Sequence, residues 1–106
     1  MSHIPAPYKR FQQDYPEVNR AYSDFARACH EAGPLDERSR RLVKLGIAVG
    51  LCSDGAVKSH ARRALSIGIS ADEIRHAVLL GMSTTGFPRS IAALEWVEEV
   101  ISAQQG

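Results

Sequence analysis

The chain has few cysteines. Its two, Cys29 and Cys52, lie far apart, so no disulfide framework is expected, and their spacing fits no zinc motif. A reducing cytoplasm is therefore the expected location. No segment approaches the roughly 20 apolar residues of a membrane span. Charge of one sign is also missing: the net charge is +1, which argues against a nucleic-acid footprint or a membrane-surface function. Met1 to Tyr8 lacks an apolar core followed by a small-residue cleavage site, so a signal peptide is not expected. Period-2 alternation and internal repeats are absent as well, which leaves helices.

What is present is an ordinary soluble composition: 106 residues, 44% hydrophobic and 24% charged. That length makes one domain, burying about two-thirds of its unfolded surface. Prolines near the start predict an extended N-terminal arm over 1–15, ahead of a single all-α domain over 16–103. Pro16 opens a first helix that Gly33-Pro34 stops. Asp36 N-caps a second, with Leu42, Leu45, Val49 and Cys52 on one stripe and Val43, Ile47 and Gly50 on another. Between Leu42 and Cys52 only Lys44 is charged. So apolar a helix is buried on most sides, which a small domain does poorly alone, and this points to a homo-oligomer. Gly46 and Gly50, four apart, would let another helix approach closely.

A third helix runs from about Asp54 to Gly68, and a fourth starts at the capping box Ser70-Ala-Asp-Glu73. The fourth turns Ile74, Ala77, Val78 and Gly81 inward and runs out at Thr84-Thr85-Gly86. Pro88 opens the fifth, with Ile91, Leu94, Val97 and Ile101 as its core stripe. The prediction is a five-helix bundle.

His60 lies on the third helix in the apolar stripe Val57, His60, Ala61, Ala64, Leu65. His76 follows the turn at a matching distance, so the two imidazoles should stand at similar heights on a helical hairpin. One reading makes His60 a general base with His76 as its acid or electrostatic partner. The other makes them a core histidine and a surface histidine. Arg41, Arg62 and Arg63 are candidates to clamp a small anionic substrate, and Thr84 could line a pocket at the Gly86-Phe87-Pro88 break. Cys52, near the third helix's N-terminus, is a candidate lone thiolate. Glu73-x-x-His76 has metal-site spacing but no second pair, so neither a metal nor another cofactor is expected.

Pro34-Leu35-Asp36 leading to Arg40, the Gly-rich helix from Leu42 to Leu51, Ser59-His60-Ala-Arg62-x-Ala64-Leu65-x-x-Gly68, Ser70-x-x-Glu73-Ile74 and Gly86-Phe87-Pro88 together resemble the carboxymuconolactone decarboxylase family. Its superfamily includes the alkylhydroperoxidase D enzymes. The resemblance covers roughly residues 20 to 101. It implies an all-α fold of the alkylhydroperoxidase D-like type, assembled as homotrimers or homohexamers. The peroxidase branch carries Glu, Cys-x-x-Cys and His; the matching positions here are Arg41, Ser53, Ala56 and His60. With no dithiol to cycle, the two-cysteine peroxidase mechanism does not carry over. The chain looks closer to the decarboxylase branch, although His76 stands where the resemblance implies an acidic residue.

The function expected is a cofactor-free acid–base enzyme acting on a small anionic lactone or keto acid, with His60 and His76 catalytic. The alternatives are a peroxiredoxin-type antioxidant using one cysteine, Cys52, and a non-catalytic oligomeric binding protein.

Overall fold

A computed structural model of the chain describes residues 6–105. Seven helical segments follow one another: α1 (Ala6–Asp14), α2 (Pro16–Glu31), α3 (Glu37–Gly50), α4 (Asp54–Ser66), α5 (Ala71–Leu80), α6 (Met82–Thr85) and α7 (Phe87–Gln105). No strand occurs among the described residues. The all-α expectation holds, but the five helices become six plus the four-residue turn α6. Residues 6–14, expected in an extended arm, are helical; residues 1–5 of that arm lie outside the described residues. Pro7 stands in the first turn of α1, where its missing N–H has no intrahelical acceptor to satisfy anyway.

The chain divides into two compact units that part between Pro34 and Leu35. In the first, α1 contacts α2, and Phe11 of α1 packs on Tyr15 at the junction with ring centroids 5.9 Å apart. Helix α2 has no buried residue, and Val18, Tyr22 and Phe25 are exposed.

The second unit holds the core. Helix α4 is its centre because its buried face is Val57, Ala61 and Ala64, at the i, i+4, i+7 spacing of one helix face. Two alanines there let α3 and α7 come in closely on either side. From α3 come Leu45, Ala48 and Val49; from α5, Ile74 and Val78; from α7, Ala93, Val97, Val100 and Ile101. The expected stripe on α7 is rotated: Ile91 is exposed and Ser90 is fully buried. Ser90 tolerates burial because its hydroxyl donates to the Gly86 carbonyl at 3.0 Å.

Helix ends set the angles. At the end of α4, Gly68 takes φ +89°, its N–H donates to the Leu65 carbonyl at 3.1 Å, and the Ile69 N–H donates to that of Ala64 at 3.1 Å. This is a Schellman stop with glycine in the left-handed position, and Ile69, just beyond it, is buried. The end of α3 repeats the pattern with Cys52 in place of glycine: φ is +55°, and the N–H groups of Cys52 and Ser53 donate to Val49 and Ala48 at 2.9 and 3.4 Å. A side chain in that conformation costs about 1–2 kcal/mol. Helix α5 restarts on the expected capping box: the Glu73 N–H donates to Ser70 Oγ at 3.1 Å, and the Ser70 N–H to Glu73 Oε1 at 3.0 Å. Those bonds, joined by the Arg38 guanidinium, hold the Glu73 carboxyl down to about 2.

Removing the cap should be measurable. Ser70→Ala is expected to lower unfolding free energy by about 1 kcal/mol in urea denaturation, with the helical circular dichroism kept. A change below about 0.3 kcal/mol would mean that the box contributes nothing to stability.

Candidate functional site

Two places in the second unit gather candidate residues. The first surrounds His60. Ser53 N-caps α4 by accepting the Ala56 N–H at 3.4 Å, which sets the rotation that turns Val57, Ala61 and Ala64 into the core. His60 lies beside that stripe and is half-buried, with its Nδ1 atom buried and making no hydrogen bond among the described residues. Burial pushes its pKa from 6.5 down to about 4, and the positive charges of Arg63, Lys44 and Arg41 add to the effect. At neutral pH the ring is therefore an uncharged base among cations.

The cations come from two helices. Arg63 is one turn after His60 on α4 and is exposed, whereas Arg41 and Lys44 stand one turn apart on α3. Arg41 Nε donates to Glu37 Oε1 at 2.7 Å, and the same carboxylate pairs with Arg40 at 3.3 Å. Those bonds hold the Arg41 guanidinium on the α3 surface. Arg62 is half-buried on the next position of α4. Lys44 belongs to this group although only its isolation in an apolar run marked it in the sequence. Its place follows from α3–α4 packing, which spacing alone does not disclose.

The second place is a groove of about 470 Å³ between α3 and α5, lined by Leu42, Val43, Gly46, Val49, Glu73, His76, Ala77, Leu80 and Gly81. His76 opens into this groove, and His60 is not among its lining residues. No hydrogen bond joins the two imidazoles among the described residues. A hairpin matches their heights, but rotation about each helix axis sets the face each ring takes, and of the two only His76 lines the groove. Thr84 is exposed on α6 and is also outside the groove lining. Cys52, expected on the inward stripe of α3, is exposed because its left-handed backbone turns it off the helix.

Among the described residues, no group of three or more His, Cys, Asp or Glu could hold a metal ion, and no helix is long and apolar enough to cross a membrane.

The fold and this cluster define a class: an all-α protein with a histidine on its central helix and Ser53 and Ala56, not cysteines, seven and four residues before it. The model of the carboxymuconolactone decarboxylase family matches residues 16–99, and the chain belongs to that family. It is 28% identical over 93 residues to an uncharacterised protein of Methanocaldococcus jannaschii, covering 88% of this chain and 87% of the relative. An uncharacterised protein of Haemophilus influenzae is 29% identical over 63 residues, 59% of this chain and 56% of that one. The fold matches the apo crystal structure of a carboxymuconolactone decarboxylase family protein from Legionella pneumophila at a TM-score of 0.74 and 23% identity, covering 87% of this chain and 85% of that one.

The lowered pKa of His60 makes a pH prediction. A ring that folds neutral contributes stability above its unfolded pKa of 6.5, and that contribution is lost as pH falls toward 4. Discounted for a half-exposed ring, the loss is about 1–2 kcal/mol. Urea unfolding at pH 7 and pH 4 should show the wild type losing about that much more stability than His60→Gln. Equal losses would mean that the ring is not held neutral.

Proposed function

We propose that this protein is a cofactor-free acid–base enzyme acting on a small anionic lactone or keto acid, with His60 as the proton carrier. The observation that supports this most is the uncharged, half-buried His60 ring set among Arg63, Lys44 and Arg41. A neutral imidazole accepts a proton at physiological pH, and cations beside it favour a carboxylate or a developing enolate. Arg63, with Arg41 and Arg62, would hold the substrate's carboxylate. In a decarboxylation, the electron pair of the breaking carbon–carbon bond passes into the neighbouring carbonyl and CO2 leaves. The resulting enolate then takes a proton from a water molecule that donates its other hydrogen to the neutral His60 ring, and the hydroxide left behind is neutralised by solvent. In an isomerisation, the same ring removes a proton next to the carbonyl and returns it elsewhere.

Membership in the carboxymuconolactone decarboxylase family supports this class of reaction, and Ser53 and Ala56 at the dithiol positions weigh against peroxidase chemistry. The exposed His76 and Thr84 have no part in this scheme. The subunit is proposed to work as a homo-oligomer, since Val43, Ile47, Leu51 and Leu80 are exposed on the unit that carries His60.

The test is turnover of a panel of small lactone acids and β-keto acids, followed by lactone absorbance and CO2 release. Activity should fall at least 100-fold in His60→Gln and persist in the Cys29→Ser/Cys52→Ser double variant. Turnover that survives His60→Gln contradicts the assignment. Hydroperoxide reduction that disappears with the cysteines would move the function to thiol chemistry.

A further inference from the structure

Arg41 is the most constrained of the arginines gathered near His60. It stands on α3 one turn after Glu37, and its Nε donates to Glu37 Oε1 at 2.7 Å. The other oxygen of that carboxylate accepts from Arg40 Nη1 at 3.3 Å, so Glu37 is itself held from two sides. Glu37 also opens α3, where a negative charge meets the positive end of the helix. The Arg41 side chain is only 19% exposed, whereas arginines mostly keep their heads in water. Arg63, by contrast, lies exposed on α4.

What the Glu37 bond leaves open decides its use. A guanidinium carries five N–H donors in one plane, and Glu37 takes the one on Nε. The four on the two Nη groups make no hydrogen bond among the described residues. Their outer edge matches the two oxygens of a carboxylate, and a lysine has no such edge. Because Glu37 already fixes the plane, binding there loses little rotamer freedom. As a helix pair alone, the Glu37–Arg41 bond would add little to stability. Helix α3 packs on α4, which brings Arg41 within electrostatic reach of the His60 ring. A carboxylate on the Arg41 edge would relieve the excess of positive charge that Arg41, Lys44 and Arg63 create there.

We infer that Glu37 is a positioning residue, resting on the acid–base reading of the same site: it orients the Arg41 guanidinium so that the paired Nη groups take the carboxylate of a small acid beside His60. Glu37 touches no substrate atom and acts through Arg41. The substrate class narrows accordingly to acids with an ionised carboxylate. An amide of the same acid lacks both the charge and the pair of equivalent oxygens.

Binding of 2-furoate, a planar ring acid, to the substrate-free protein tests this, read from the nitrogen-15 shifts of the His60 ring. The acid should shift the ring saturably, and 2-furamide should not. Glu37→Ala and Arg41→Lys should each weaken 2-furoate binding about 10-fold. Glu37→Asp, which keeps the charge at this spacing, should recover most of that loss. Adding Glu37→Ala to Arg41→Lys should cost nothing further, because Glu37 acts only through the fork. A merely loosened fold would not give that non-additivity. Circular dichroism and melting of each variant run alongside, and Glu37→Gln carries the test if Glu37→Ala fails to fold. A ring unmoved by about 50 mM 2-furoate, binding within about 2-fold of wild type in Glu37→Ala, or a full further loss in the double variant would overturn the inference. Glu37-dependent binding with no turnover in the panel of acids contradicts the proposed reaction and leaves Glu37 its role. Turnover that needs His60 and is unchanged in Glu37→Ala contradicts the role of Glu37 alone.

Discussion

The partial burial of one imidazole against close-packed helices governs the rest. His60 loses part of its hydration beside a core face on which α4 presents Ala61 and Ala64, small residues that let α3 and α7 pack closely on that helix. Desolvation is the largest influence on the ring, ahead of any single charge. The neighbouring cations act in the same direction, since a second positive charge is costly where positive charge already stands. A histidine on an open helix face would titrate near neutrality and leave no distinct base at pH 7. The chemistry proposed for the site is thus a consequence of packing, and packing is a consequence of where Ala61 and Ala64 fall on the helical repeat.

Helix terminations hold that packing in place. Ser53 starts α4 and Gly68 stops it, so the helix carries one turn-register of core residues with His60 at its margin. The α3 end shows a small conflict between local and global demands. A Schellman stop requires a left-handed residue, and Cys52 fills the position at a cost that glycine would avoid. Its N–H still closes the motif, and its side chain is turned into solvent. On α5, the capping box and the Arg38–Glu73 pair tie the first turn of one helix to the start of another. Arg75 makes a comparable tie to α7, donating to Glu98 at 2.6 and 2.9 Å.

Much of this was legible before any coordinates, and the exceptions have physical causes. Caps and stops are local, so Asp36, Ser70, Glu73 and Gly68 announced their roles from spacing alone. Helix rotation is not local. Helix α7 is apolar on more than one side, and the choice between Ile91 and Ser90 for the core depended on an available carbonyl, that of Gly86, rather than on hydrophobicity. The same uncertainty leaves the faces of His60 and His76 undecided in the sequence; in the structure His76 lines the α3–α5 groove and His60 does not. Pro7 suggested extension because it removes a donor, yet the first turn of a helix has no use for that donor. Lys44 was visible only as an isolated charge; its relation to His60 is made by two helices meeting, which no single-helix pattern contains. The excess apolarity of α3 was readable, and the structure resolves it into a buried side and an open ridge.

Membership in the carboxymuconolactone decarboxylase family and a half-buried histidine on the central helix direct attention to His60. The account stands or falls on the state of that ring. Nitrogen-15 NMR titration of His60 in the substrate-free protein measures it directly: the account predicts an imidazole that stays neutral through pH 6 and protonates near 4. Protonation at 6.5 or above would show a solvated surface histidine and contradict the proposed base.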